Sequence, residues 1–184
     1  MENYFSFHAP ERIAKAQKIK AIITDVDGVL TDGGIIYDNA GVEFKRFNVK
    51  DGQVIKTLRE QGLLTGVITG RNSEVVKFRC RELKFDFHHH GVKNKVAVLE
   101  KELLDRNLTW EEVAYIGDDL PDLCIFEKCG LSVLPSDGLA YLQKEVDWVA
   151  QAVGGSGVFR EVADFILWAQ GRLESVIARN RLGE

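Results

Sequence analysis

Ala21–Gly34 reads AIITDVDGVLTDGG, an apolar run of strand type that ends on Asp25 and Asp27 and turns at once into glycine. Two carboxylates this close repel each other and resist burial, so the position calls for a structural or chemical reason. Similar β-branched runs recur at LLTGVITG, FDFHHHG, VAYIGDD and GLSVL, separated by charged segments with helical spacing. KDGQVIKTLREQG, SEVVKFRCREL and KNKVAVLEKELLDRN each carry apolar residues three and four apart with charges opposite. Strands alternating with helices predict right-handed crossovers and an α/β, Rossmann-like three-layer fold around a mostly parallel sheet.

One segment departs from this alternation. In GGIIYDNAGVEFKRFNV two alternating runs flank Asp38–Gly41, which predicts a β-hairpin over about residues 33–48, projecting from the sheet. Between Asp27 and the next helix there is room only for this hairpin. Between Thr69 and Lys95 there is room for little more than one helix-and-strand crossover, so neither gap holds a cap domain. A glycine-rich segment and one amphipathic C-terminal helix are expected over about residues 153–179, with Ser156 as its cap. The 184 residues are expected to form one domain, 1–184.

Composition narrows the class. The chain is 45% hydrophobic and 28% charged, as in ordinary globular proteins. Its net charge is -4 with basic residues scattered, which leaves no footprint for nucleic acid. The start has no apolar core of signal-peptide length, and no run reaches the roughly 20 apolar residues that span a bilayer. Cys80, Cys124 and Cys129 are odd in number and contain no CxxC pair, as expected of reduced core thiols. These features predict a cytoplasmic protein without membrane or nucleic-acid partners.

In an open parallel sheet, functional groups collect beyond the carboxyl ends of the strands. Asp25 and Asp27 end the first predicted strand, Thr69 and Gly70 the second, and Gly117, Asp118 and Asp119 a later one, with Asp122 near. So many carboxylates in one crevice need a cation, and Mg2+ suits all-oxygen donors while leaving positions for substrate. One carboxylate could then attack phosphorus while its neighbour two residues on moves the proton, both pointing to one side if the backbone stays extended. Each element has a plainer account. DVDG can be a turn with helix-capping aspartates, the Thr69–Gly70 pair a strand-ending turn, and GDDLPD a helix cap. Lys95 can be a solvated lysine at a helix start, although the helix dipole disfavours a cation there. Arg71 can present its fork to a sugar carboxylate or be a surface arginine.

Taken in order, DVDGV, ITG, the lysine and GDDxxD resemble the haloacid dehalogenase superfamily of aspartyl-phosphate hydrolases. The wider wording TDVDGVLTDGG, FNVKDG, ITGR, VAYIGDDLPD and GGSGVFREV is similar, over nearly the whole chain, to the 3-deoxy-D-manno-octulosonate 8-phosphate (KDO 8-phosphate) phosphatases. That resemblance implies a small-molecule sugar phosphate substrate, a place in lipopolysaccharide precursor synthesis, Mg2+, and a homotetramer whose hairpins pack together and whose subunits share cover over each site. It implies Asp25 as nucleophile and Asp27 as general acid and base, with the Asp27 carbonyl facing the metal. Asp118 becomes the other side-chain ligand, so the metal set is Asp25, Asp27 and Asp118. Thr69, Gly70 and Lys95 become the phosphoryl grip, Arg71 a substrate contact, and Asp119 and Asp122 supporting residues. Arg71 favours KDO 8-phosphate over sialic-acid-like 9-phosphates, whose phosphatases often carry an acidic residue there. A non-catalytic protein of the same fold is the rival from another class. His88, His89 and His90 stand where the resembled enzymes carry other residues. Consecutive strand side chains alternate, so the three cannot share one ion, and packing or pocket-edge roles are expected.

Overall fold

The computed structural model describes residues 5–182. At its centre lie six parallel strands: β1 (Ala21–Thr24), β4 (Leu64–Ile68), β5 (Phe87–His89), β6 (Val113–Ile116), β7 (Leu131–Leu134) and β8 (Trp148–Val149). Their order is β5-β4-β1-β6-β7-β8. The two-residue strands β2 (Ile36–Tyr37) and β3 (Glu43–Phe44) form the separate hairpin, with Ile36 opposite Phe44 and Tyr37 opposite Glu43. Asp38 closes its turn by accepting from the backbone amides of Ala40 and Val42 through one carboxylate oxygen.

Side-chain alternation sorts the core into two layers. Ile22, Val67, Ala114 and Val133 face one side of the sheet, covered by α1 (Pro10–Lys18), α2 (Val49–Glu60), α3 (Glu74–Leu83) and α6 (Val158–Ala169). Ile23, Ile68, Tyr115 and Leu134 face the other, covered by α4 (Lys95–Asp105) and α5 (Leu123–Phe126). Val158, Phe159, Val162, Ala163, Phe165, Ile166 and Leu167 of α6 are all buried. At about 1.5–3 kcal/mol for each fully buried large side chain, this helix anchors its layer. The α/β three-layer fold, mostly parallel sheet and hairpin agree with the sequence.

Three expectations are corrected. The C-terminal segment is two helices, α6 and α7 (Leu173–Leu182), because the chain turns at Gln170–Arg172, where Arg172 N bonds to Leu167 O. Ser156 is not the cap of α6; Gly157 occupies that position and no side chain supplies the bond. Cys124 is exposed, since it lies on the outer side of the short α5, whereas Cys80 and Cys129 are buried; all three thiols are free. No helix of the described residues is long and apolar enough to cross a membrane.

The order of strands fixes the working end. From β1 the chain moves outward through β4 and β5, then returns by α4 to lay β6 on the other side of β1. The crevice at the carboxyl ends of β1 and β6 is therefore the topological switch point, where open α/β sheets bind ligands.

Candidate active site

Asp25 leaves β1 with its amide still bonded to Ile116 O of β6 (2.9 Å), so the ladder sets its position. Beyond it the extended backbone stops. The amides of Val29, Leu30 and Thr31 all turn back to Val26 O, and Gly28 takes a φ of +82°. This corrects the expectation that Asp25 and Asp27 lie two apart on an extended strand: a tight loop sends them to different partners. Asp25 Oδ1 accepts from Val26 N (2.6 Å) and Oδ2 from Lys95 Nζ (2.8 Å). Asp27 pairs through Oδ1 with Lys45, and its Oδ2 lies 3.6 Å from Arg71 Nε.

Lys95 opens α4, whose cap is Asn94 accepting from Ala97 N. It is not a solvated lysine: only 4% is exposed, and its ammonium spans Asp25, Asp122 Oδ1 (2.6 Å) and the Tyr115 hydroxyl (3.3 Å). Asp122 is fully buried and fully used. It accepts from Lys95, Tyr115 and, through Oδ2, the amides of Asp118 and Asp119. That last pair fixes the loop that carries Asp118. A Cβ on Gly117 would come within 2.4 Å of the Asp122 carboxyl carbon, so the loop closes only around a glycine. Asp119 is exposed and caps the following turn through Leu120 N, apart from the carboxylate cluster.

One ligand oxygen from each of Asp25, Asp118 and Asp122 lies within 4.8 Å of the others. Burial, with repulsion from Asp122, raises the Asp25 carboxyl to about 6 against the pull of Lys95. Burial, then Asp122 and Asp25, raises Asp118 to about 7. With Asp122 committed to Lys95 and Tyr115, Asp118 and the second lone pairs of the Asp25 oxygens, which already accept from Val26 N and Lys95, are left to a cation, and this all-oxygen donor set suits a hard ion such as Mg2+. Gly28 makes the room: a Cβ there would sit 2.1 Å from Asp118 Oδ2.

Thr69 is buried just past β4, where its N–H bonds to His89 O and its hydroxyl meets Arg71 N (3.4 Å). Gly70 follows in the same loop. Arg71 does reach the mouth, beside Asp27, but its guanidinium is held by Glu43 Oε1 (2.7 Å) and Tyr37 OH (3.2 Å). Glu43 also accepts from Ser73 Oγ. Hence the hairpin is wired to the site through Tyr37, Glu43 and Lys45. Sequence reasoning missed Lys45 and Glu43. In an alternating hairpin they look like outward residues, yet the Lys45 side chain is fully buried between two carboxylates.

The glycine-rich segment packs on the Asp25–Thr31 loop. Gly155 N bonds to Val29 O (2.9 Å), and a Cβ on Gly154 would stand 2.2 Å from Gly28 O.

No family model matches the chain. The 3-deoxy-D-manno-octulosonate 8-phosphate phosphatase KdsC of Escherichia coli K12 is 42% identical over 162 residues, covering 88% of this chain and 86% of that protein. A Moraxella catarrhalis enzyme of the same name, solved with magnesium, phosphate and KDO, superposes with a TM-score of 0.90 at 36% identity, covering 94% and 99% of the two chains. The cobalt-bound Haemophilus influenzae phosphatase superposes with a TM-score of 0.83 at 40% identity, covering 86% and 93%. A Legionella pneumophila structure described as a putative HAD superfamily hydrolase gives 0.89 at 38% identity, covering 95% of both. With this likeness over most of its length, the chain belongs to the KdsC family of 3-deoxy-D-manno-octulosonate 8-phosphate phosphatases, within the haloacid dehalogenase superfamily.

Proposed function

We propose that this protein is a magnesium-dependent phosphatase that hydrolyses KDO 8-phosphate to KDO and phosphate through an aspartyl-phosphate, in lipopolysaccharide precursor synthesis. The observation that carries the chemistry is Asp25, held at the end of β1 with one oxygen on Lys95 and set beside Asp118 in a partly buried carboxylate cluster. Mg2+, held by Asp25, Asp118 and the Asp27 carbonyl, would offset the gathered negative charge and polarise the phosphoryl group. A carboxylate oxygen of Asp25 attacks phosphorus as the bond to the sugar oxygen breaks, and Asp27 gives its proton to the departing alkoxide. Asp27, now the base, takes a proton from water, whose oxygen attacks phosphorus and restores the Asp25 carboxylate. Thr69 and the Gly70 backbone orient the phosphoryl oxygens, and Lys95 offsets their charge. Asp122 holds Lys95 and the Asp118 loop in position, and Asp119 shapes the start of the next turn. For Arg71 to reach the sugar carboxylate, it exchanges Glu43 or Tyr37 for the substrate.

We read the hairpin as an assembly surface. Ile35, Ile36, Tyr37, Val42 and Phe44 are each more than half exposed, a density of apolar groups that suits packing against other copies. This supports a homotetramer whose subunits cover one another's sites, as the family resemblance implies. Three free thiols fit the reducing cytoplasm.

The test is phosphate release from KDO 8-phosphate, expected with Mg2+ and lost on chelation. A sialic-acid-like 9-phosphate should show a lower kcat/KM. Asp25→Asn should cut turnover by on the order of 10⁴-fold or more with an unchanged circular dichroism spectrum. Hydrolysis retained in that variant would remove the covalent step.

A further inference from the structure

Strand β5 is an edge of the sheet, and its two histidines, with His90 just beyond it, divide between the two faces. His89 faces α4, where Nε2 meets Glu102 Oε1 at 2.7 Å. His88 and His90 face α3, and His88 Nδ1 lies 2.8 Å from His90 Nε2. Cys80 of α3 is buried beside them. One ligand atom from each of Cys80, His88 and His90 lies within 4.8 Å of the other two.

As an all-protein arrangement this cluster is incomplete. Two neutral imidazoles share a single proton across one nitrogen–nitrogen contact. That leaves His90 Nδ1, shut off from solvent, without a hydrogen-bond partner among the described residues. Burial disfavours the charged form of both rings, and the neutral imidazole is the form that ligates metals. Lys77, a cation on the same helix, is paired with Glu74 at 2.7 Å.

We propose that Cys80, His88 and His90 form a second metal site, built of one sulfur and two nitrogens, that takes a late first-row divalent ion such as zinc. These softer donors select against Mg2+, so the site is chemically distinct from the carboxylate cluster. Tetrahedral coordination needs the two nitrogens about 3.3 Å apart, a small adjustment for partly buried rings. On binding, the Cys80 S–H bond breaks and a sulfur–metal bond forms, with the proton released to solvent. The ring proton in the shared contact moves to the far nitrogen of its own ring. Water fills the fourth position.

The probe is Co2+ added to chelator-stripped full-length protein under excess Mg2+. One equivalent should bind with a thiolate-to-cobalt charge-transfer band and the strong visible bands of a four-coordinate ion; carboxylate oxygens give no thiolate band. His88→Gln and His90→Gln should each weaken cobalt binding at least about tenfold. Cys80→Ser should remove the charge-transfer band. Cys124→Ser, which alters only the exposed thiol, and Asp118→Asn, which disables the oxygen site, should both keep it. His88 and His90 are only partly buried, so their variants decide the question even if Cys80→Ser folds poorly. Absence of a thiolate band in the wild type, a band that survives both histidine changes, or one lost with Cys124 would overturn the proposal.

Discussion

Gly28 has two independent reasons to be glycine, which makes it the sharpest single-residue test of the carboxylate crevice. Its φ of +82° disfavours any side chain by about 1–2 kcal/mol, and the space for a Cβ is already taken by Asp118. Gly28→Ala should therefore displace Asp118 and raise the Mg2+ concentration needed for half-maximal activity by about tenfold or more. A displacement on the order of 1 Å should cost about 10²-fold in kcat/KM. Unchanged magnesium dependence would mean that Asp118 does not serve the ion. At this scale the sequence was informative about Asp25, Lys95, Asp118 and Asp122, because each ends a strand or opens a helix at the switch point. It was silent on Lys45, whose burial depends on the hairpin folding back over the Asp25–Thr31 loop, a contact no local pattern encodes. The expected role of Asp119 beside the cluster also needed the structure, since a capping aspartate and a ligand look alike in GDDLPD.

Among the elements, the glycine-rich turn before α6 has the most direct mechanical hold on the Asp25–Thr31 loop. Gly154 lies so close to Gly28 O that a methyl group would meet the backbone at 2.2 Å and could not be relieved by a side-chain rotation. Gly154→Ala should push the Gly28–Thr31 backbone, destabilising the fold by about 1–3 kcal/mol and lowering kcat more than it raises KM. Urea denaturation with steady-state kinetics checks both; an unchanged kcat would detach this turn from the site. Strands β1, β4, β6 and β7 were legible because they are buried on both faces and are therefore continuous apolar runs. Strand β8 has two residues, too few for any period. Helix α1 escaped notice although Pro10 in its first turn and Lys15 and Lys18 in its last are ordinary helix signals. The break between α6 and α7 lies at Gly171, whose φ of +69° makes it an ordinary helix stop, and α7 beyond it buries no residue, so the signal was present in the sequence but was not used.

Assembly and pH both act on the molecule as a whole. Ile36 and Phe44 face each other across the hairpin, 54% and 52% exposed, so charging both should cost the monomer little and a tetramer much. Ile36→Asp with Phe44→Asp should shift the sedimentation profile to smaller species; an unshifted profile would place the interface elsewhere. The response to acid depends on a residue that joins the two ends of the chain. His8 stacks on Phe7 and packs against Phe165 and the edge of Trp148, and its Nδ1 meets Arg12, which also binds Asp147 O. Burial, then the Arg12 charge, lowers this imidazole from 6.5 to about 4. Above about pH 6.5 both folded and unfolded states hold it neutral, and it contributes no pH dependence. As the pH falls toward 4, the unfolded chain gains a proton that the fold refuses, so stability drops by on the order of 1–3 kcal/mol. The raised carboxyls of Asp25 and Asp51, near 6, and Asp118, near 7, work in the opposite sense, since the fold takes up their protons first. The His8 contribution is therefore isolated as a difference: His8→Gln should be less stable than wild type at neutral pH, and the gap should narrow steadily on acidification. Denaturant midpoints for the two proteins across that interval measure it, and a gap that stays constant would show that His8 takes up its proton in the folded state as readily as in the unfolded one.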